Sequence, residues 1–263
     1  MDRLQNKAAL ITGAGAGIGA ATARLFCAQG ARVCLLDANP KALQDTLAQL
    51  KSEFPLASVH TAQADIAHEA QAQAAVLGAV EVLGGLDVLV NNAGAIPGGS
   101  LHDLDEQRWR QAWELKLFSY INLTRCYLPM MEQRGRGVIC NIIGLAGVAP
   151  RYDYICGSTA NAGLIAFTQG LGGGSVRKGV RVFGINPAPT RSQRMQTMLE
   201  RQAKNKWGDT SRWMELSTKL PFGRMAEPDE IARMTVFACS PLSGYLSGTV
   251  INLDAGQIYA DPV

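Results

Sequence analysis

Seven short apolar runs recur along the chain, each of the first five followed by a longer stretch of helical periodicity, and that alternation leaves few folds open. The runs are AALIT (8–12), RVCLLD (32–37), SVHTAQAD (58–65), LDVLVNNAG (86–94), GVICNII (137–143), VRVFGINP (180–187) and GTVINLDAG (248–256). Between them lie GIGAATARLFCAQG, PKALQDTLAQLKSEF, HEAQAQAAVLGAVEVLGG, a stretch over 106–135, and TANAGLIAFTQGLGGGSVRK. Near-continuous apolar strands alternating with helices predict an α/β domain: a doubly wound parallel sheet, covered on both faces and built by right-handed crossovers. No low-complexity linker divides the chain. With 263 residues, 47% of them hydrophobic, one domain with a sizeable core is expected.

Charge and cysteine usage narrow the classes further. A formal net charge of +3, without a long run of Lys or Arg, argues against nucleic-acid binding by phosphate neutralisation. Cys27, Cys34, Cys126, Cys140, Cys156 and Cys239 are scattered, with neither CxxC spacing nor paired histidines, so they read as free thiols and no metal site is expected. The first residues, MDRLQNKAALITG, lack the basic-then-apolar order of a secretion signal, and no apolar run reaches membrane-spanning length. The expectation is a soluble cytoplasmic protein that binds neither nucleic acid nor membrane.

The first βα turn, TGAGAGIG from Thr12 to Gly19, follows a strand and opens an amphipathic helix. In such a turn Gly13 permits the tight bend, Gly17 lets backbone approach a pyrophosphate, and Gly19 lets helix and strand pack closely. The second strand ends in CLLDAN, which places Asp37 where its carboxylate can accept both ribose hydroxyls of an adenosine and repel a 2′-phosphate. This pairing predicts NAD in preference to NADP.

With these residues in place the chain resembles the short-chain dehydrogenase/reductase family over essentially its whole length. The resemblance rests on the glycine turn, Asp65 in QADI, NNAG at 91–94, NPAP at 186–189, and PFGRMAEPDEIA, FACS and SGYLSGTVINLDAGQ toward the C-terminus. It implies a Rossmann-type single domain whose cofactor is held by Gly13, Gly15, Gly17, Ile18 and Gly19 in the turn. It further implies that Asp65 and Ile66 lie by the adenine, that Asn92, Ala93 and Gly94 line the adenine-ribose side, and that Pro187 and Ser192 lie near the nicotinamide. Ala188 and Ala255 stand where the family usually has glycine.

The family's chemistry normally uses an asparagine, a serine and a Tyr-x-x-x-Lys pair: the tyrosine moves the proton, and the lysine lowers its pKa and holds the nicotinamide ribose. Here the asparagine position falls on Lys116 and the serine position on Gly144. The tyrosine and lysine positions fall on Gly157 and Asn161. A second register, with three residues moved from loop to helix, puts Tyr154 and Ser158 in the last two positions, still without a lysine. Cation and amide thus look exchanged between helices, and Lys116 is a candidate acid/base or electrostatic group, against the alternative of a lysine reaching solvent or pairing with a carboxylate. Tyr152 and Tyr154 alternate in an extended loop and are expected to point the same way, with Tyr154 the preferred proton donor or else a packing residue. Asp153 could orient Lys116. Cys156, near a helix start, is a possible nucleophile but reads better as a small packing residue. His60, His68 and His102 receive no catalytic role.

The polar segment 191–224 carries eight Lys or Arg against three acids and is expected to form a mobile flap at the site mouth. Its charge could attract an anionic substrate, or be an ordinary solvated face or oligomer contact. Trp207, Trp213, Met195 and Met198 would give it an apolar side, hence a small-molecule substrate with an apolar body. The helix from 109 to 131 is apolar around most of its circumference, and by resemblance a homodimer or homotetramer is expected. Three functions remain open: an NAD-dependent oxidoreductase on an alcohol or ketone with a rearranged catalytic set; a lyase, hydrolase or isomerase on the same scaffold; and a catalytically silent NAD-binding subunit.

Overall fold

The computed structural model describes residues 3–260. All seven strands are parallel and form one sheet in the order β3-β2-β1-β4-β5-β6-β7. They are β1 (Ala8–Thr12), β2 (Arg32–Asp37), β3 (Val59–Gln63), β4 (Val88–Asn91), β5 (Gly137–Ile142), β6 (Val180–Pro187) and β7 (Val250–Leu253). Strand order reverses between β1 and β4, so the crevice at their carboxyl ends is where such a sheet binds ligands.

Alternate strand residues face opposite layers. Ala9, Ile11, Val33 and Leu35 pack with Phe26, Leu43 and Ile231, whereas Ala8, Leu10, Cys34 and Leu36 pack with Val76, Leu83, Leu123 and Tyr127. The first layer is built on α1 (Gly17–Ala28), α2 (Pro40–Glu53) and, late in the chain, Pro228–Cys239; the second on α3 (Glu69–Leu83) and the stretch over 106–133. Helix starts carry local signals: Asn39 accepts from the Ala42 N–H ahead of α2, with Pro40 in its first turn.

The stretch expected as one helix over 106–135 is interrupted. Helix α4 (Glu106–Trp113) passes into a π-helical turn, Glu114–Phe118, before α5 (Ser119–Gln133). The turn directs Lys116 inward, where a regular helix carrying an apolar pattern gives no hint of it; insertions of this kind recur at functional sites. Helix α6 (Ile155–Ser175) begins four residues before the expected Thr159, and Tyr154 at its cap gives no side-chain capping bond.

The segment 191–224 is ordered into α7 (Gln193–Trp207) and α8 (Trp213–Ser217). Its two ends are tied to the start of α9 (Pro228–Cys239): Arg191 pairs with Glu227 at 2.8 Å and Arg224 with Glu230 at 2.8 Å. Arg212 pairs with Glu215 at 2.7 Å, and its guanidinium lies 4.4 Å from the Trp207 ring centroid. Among the described residues Arg191, Arg212 and Arg224 of this segment are thus matched by carboxylates. Among the described residues no helix is long and apolar enough to cross a membrane.

Candidate active site

The glycine turn has the geometry its sequence predicts. Gly13 sits at φ +63°, and a β-carbon on Gly19 would collide with the Gly13 carbonyl, so helix and turn approach closely only without side chains there. Gly17 faces open space, and Ala16 contributes no capping side chain to α1. The first-turn N–H groups and the positive helix end therefore suit a pyrophosphate. Ile18 packs half-buried on the core behind them.

Asp37 stands against this turn. One carboxylate oxygen accepts from the Gly15 N–H at 3.0 Å and the other from the Asn39 N–H at 2.9 Å, which fixes a negative charge beside the cradle at the end of β2. Asn92 is turned elsewhere: its amide donates to the Thr12 carbonyl at 2.9 Å and the Gly13 carbonyl at 3.3 Å. Thr12 returns the brace, its hydroxyl accepting from the Asn92 and Ala93 N–H groups, both at 2.9 Å. The Asn92 side chain thus holds the turn together, and Thr12 is a bracing residue that sequence reading did not single out. Asp65 caps its own turn by accepting from the Ala67 N–H at 3.0 Å; the neighbouring Ile66 side chain is buried in the core. Pro187 closes β6, and Ser192 caps α7 by accepting from the Met195 N–H at 3.1 Å.

At the other end of the crevice Lys116 is only 8% exposed. Its ammonium donates to the Ile142 carbonyl at 2.8 Å and to the Tyr120 hydroxyl at 2.8 Å, and Tyr120 in turn donates to Ile142 at 2.9 Å. Burial holds the Tyr120 phenol well above its ordinary pKa, so it stays a neutral donor. The i,i+4 spacing of Lys116 and Tyr120 was the available signal for this partner. Lys116 lies against Gly94: a β-carbon on that glycine would be 3.3 Å from the lysine Nζ and closer still to its Cδ. The cation is therefore fixed between the carboxyl ends of β4 and β5 and does not reach out to solvent.

Asn161, on the inner face of α6, is 4% exposed, and its amide donates to the Gly144 carbonyl at 3.4 Å. Its side-chain oxygen is buried without a hydrogen-bond partner. Gly144, at φ +145°, donates its N–H to the Asn186 side chain at 3.3 Å. Ser158 is turned to the Arg151 N–H, at 3.1 Å, so Asn161 and not Ser158 faces the end of β5.

The two loop tyrosines do not point the same way. Tyr152 is 70% exposed, while Tyr154 packs with Ile96, Leu104, Trp109, Trp113 and Cys156. The ring of Tyr154 stands over Gly157, with its hydroxyl oxygen 2.6 Å from where a β-carbon there would be. Asp153 does not orient Lys116; it pairs with Arg151 at 2.7 Å, and that hydrogen-bonded contact lowers its pKa. Cys156 is fully buried, and burial pushes its thiol up against a smaller opposing effect of Trp113, which disfavours a thiolate nucleophile. The carboxyl ends of the strands thus carry a glycine turn backed by the Asp37 carboxylate and, at β4 and β5, the buried Lys116 cation and the Asn161 amide.

A family profile described as enoyl-(acyl carrier protein) reductase matches residues 13–257. The chain is 32% identical to 2-keto-3-deoxy-L-fuconate dehydrogenase of Xanthomonas campestris, over 97% of this chain and 81% of that one. It is 29% identical to 7alpha-hydroxysteroid dehydrogenase of Escherichia coli, over 97% of this chain and 96% of that one. Its fold is similar to the crystal structure of L-sorbose reductase from Gluconobacter frateurii complexed with NADPH and L-sorbose, with a TM-score of 0.92 at 28% identity, covering 99% and 100% of the two chains.

Proposed function

The chain belongs to the short-chain dehydrogenase/reductase family, and from that premise we propose that it is an NAD-dependent oxidoreductase that interconverts a secondary alcohol and a ketone of a small molecule, using a non-standard set of side chains. The observation that carries the reading is the buried Lys116 ammonium at the carboxyl ends of β4 and β5, in a chain whose helix α6 contains neither tyrosine nor lysine.

The dinucleotide, when bound, supplies or accepts the hydride. This chain's residues do the rest. The glycine turn and the α1 N-terminus hold the pyrophosphate. Asp37 would accept hydrogen bonds from the adenosine ribose hydroxyls, and its charge would oppose a 2′-phosphate, which supports NAD even though L-sorbose reductase is described with NADPH. In the reduction direction the Tyr154 phenol would give its proton to the substrate carbonyl oxygen. Tyr154 then recovers that proton from solvent. Lys116 places a fixed positive charge where the oxygen becomes negative, in a site shielded from water. Asn161 orients the reactants through its unpartnered oxygen. Tyr152 stands outside this set, at the exposed mouth.

The relatives act on a sugar, a steroid and a keto acid, which supports a hydroxyl- or keto-bearing small molecule. Trp109 and Trp113, partly buried beside Tyr154, favour an apolar body. Attraction of an anionic group has weaker support, because Arg191, Arg212 and Arg224 already face carboxylates. A homodimer or homotetramer fits the partly exposed Phe118 at the α4–α5 junction.

The test is to add NADH and a panel of ketones to the protein and follow the loss of reduced-nicotinamide absorbance. Turnover with at least one ketone is expected. A second reading, a non-redox enzyme or a silent NAD-binding subunit, draws on the missing tyrosine and lysine of α6; NADH binding with no turnover across the panel would favour it.

A further inference from the structure

Three glycines stand under the three polar side chains of the site. A β-carbon on Gly94 would overlap the Lys116 chain, one on Gly144 would lie 2.8 Å from the Asn161 amide nitrogen, and one on Gly157 would lie 2.6 Å from the Tyr154 hydroxyl with the ring closer still. Contacts under about 3.0 Å are not tolerated between a β-carbon and a fixed neighbour, so something must move. Each of these polar side chains occupies the volume that an ordinary residue at its glycine would claim.

We propose that Gly94, Gly144 and Gly157 are positioning residues, each lacking the β-carbon that would displace one polar side chain, so that Lys116, Asn161 and Tyr154 keep their arrangement because these places are bare. The inference rests on the proposed reaction for its catalytic meaning, and on packing alone for its structural content.

Gly157 is the sharpest case. It lies in α6 at an ordinary helical conformation, where glycine is less favourable than alanine. Neither a turn nor a positive φ demands it. The nearest atoms that forbid a β-carbon there are Cε1, Cζ and Oη of Tyr154, three residues earlier. Because these are the far end of a side chain that can swing, a methyl at 157 moves the phenol and leaves the helix in place. Gly144 differs in that φ +145° already disfavours a side chain, and Gly94 differs in meeting the middle of the Lys116 chain. All three place the same demand on a different element: the β4 loop, the end of β5, and the first turn of α6.

The experiment is a double-variant cycle on the full-length protein with Gly157→Ala, Tyr154→Ala and the pair. In the Tyr154→Ala background, Gly157→Ala is expected to raise Tm by about 2–4 °C, the ordinary gain of alanine over glycine in a helix. With Tyr154 present the same change is expected to give no gain or a loss. An equal rise in both backgrounds overturns the proposal.

The second readout separates positioning from packing. NADH affinity, followed by quenching of protein fluorescence, is expected to stay within about two-fold in Gly157→Ala. The kcat for ketone reduction is expected to fall about 100-fold, the scale of a displaced reacting group. Unchanged kcat with a coupled Tm would overturn the positioning role of Gly157. If wild type reduces no ketone, the proposed reaction fails, and the Tm cycle still decides whether glycine and phenol are matched.

Discussion

Lys116 reaches its place through its own bonds and its neighbours' omissions. Its ammonium is held by the Ile142 carbonyl and the Tyr120 hydroxyl, and its stem lies on a glycine. A buried ammonium with such partners is costly to misplace, because an uncompensated charge or orphaned carbonyl would remain. Asp37 is the counterpart at the end of β2, where its two backbone donors hold a carboxylate against the glycine turn. Asp37→Asn keeps the shape and removes the charge. The ratio of NADP to NAD affinity, measured by competitive titration, is expected to rise about ten-fold or more, equivalent to roughly 1.4 kcal/mol. An unchanged ratio would mean that Asp37 does not discriminate between the two.

At the scale of elements, β1, β2 and β6 run over the residues that the apolar pattern marks, because a strand buried on both faces writes its limits in side-chain type. The start of α6 was not legible, since Tyr154 precedes it without a capping side chain, so no cap residue announces the first turn. The π-helical turn at Glu114–Phe118 was hidden for another reason: apolar residues ring most of this stretch, so the phase shift of one inserted residue leaves no visible break in the pattern. The tight glycine turn and the place of Asp37 at the end of β2 could be read ahead because both are local in sequence. The placement of Tyr154 over Gly157 and of Asp153 beside Arg151 could not, because a loop's side-chain directions depend on what packs beneath it. Ala255, following β7, sits at φ +53°, in the left-handed region that suits glycine. Ala255→Gly is expected to raise Tm by about 2–4 °C, as relief of roughly 1–2 kcal/mol of backbone strain outweighs the added freedom of the unfolded chain. A fall in Tm would show that the Ala255 methyl contributes packing that outweighs the strain.

For the molecule as a whole, the 191–224 segment is anchored at both ends to the α9 start, through Glu227 and Glu230. Glu230 accepts from Arg224 and from the Glu227 N–H, and these contacts hold its carboxyl down at about 2 from the usual 4.5. A depressed folded pKa stabilises the fold above the ordinary carboxylate range and ceases to do so as pH falls through about 2. Glu230→Gln is expected to flatten this part of the acid limb in a plot of Tm against pH, between roughly pH 4.5 and 2. Because the pair is largely exposed, the effect should also shrink in high salt; an acid limb identical to wild type would remove Glu230 as its source.

The central claim is that proton and charge handling in this site has moved to residues gathered around Lys116. The most direct measurement compares wild type with Lys116→Met, using NADH and the same ketone panel, with circular dichroism to show that both are folded. Tyr120 still donates to Ile142 in the variant, so the end of β5 keeps a hydrogen-bond partner. The account predicts ketone-dependent loss of reduced-nicotinamide absorbance in wild type and a kcat about 10²–10³-fold lower in Lys116→Met, the scale seen when a preorganised electrostatic group is removed. Equal turnover by the two proteins, or none by wild type, would contradict it.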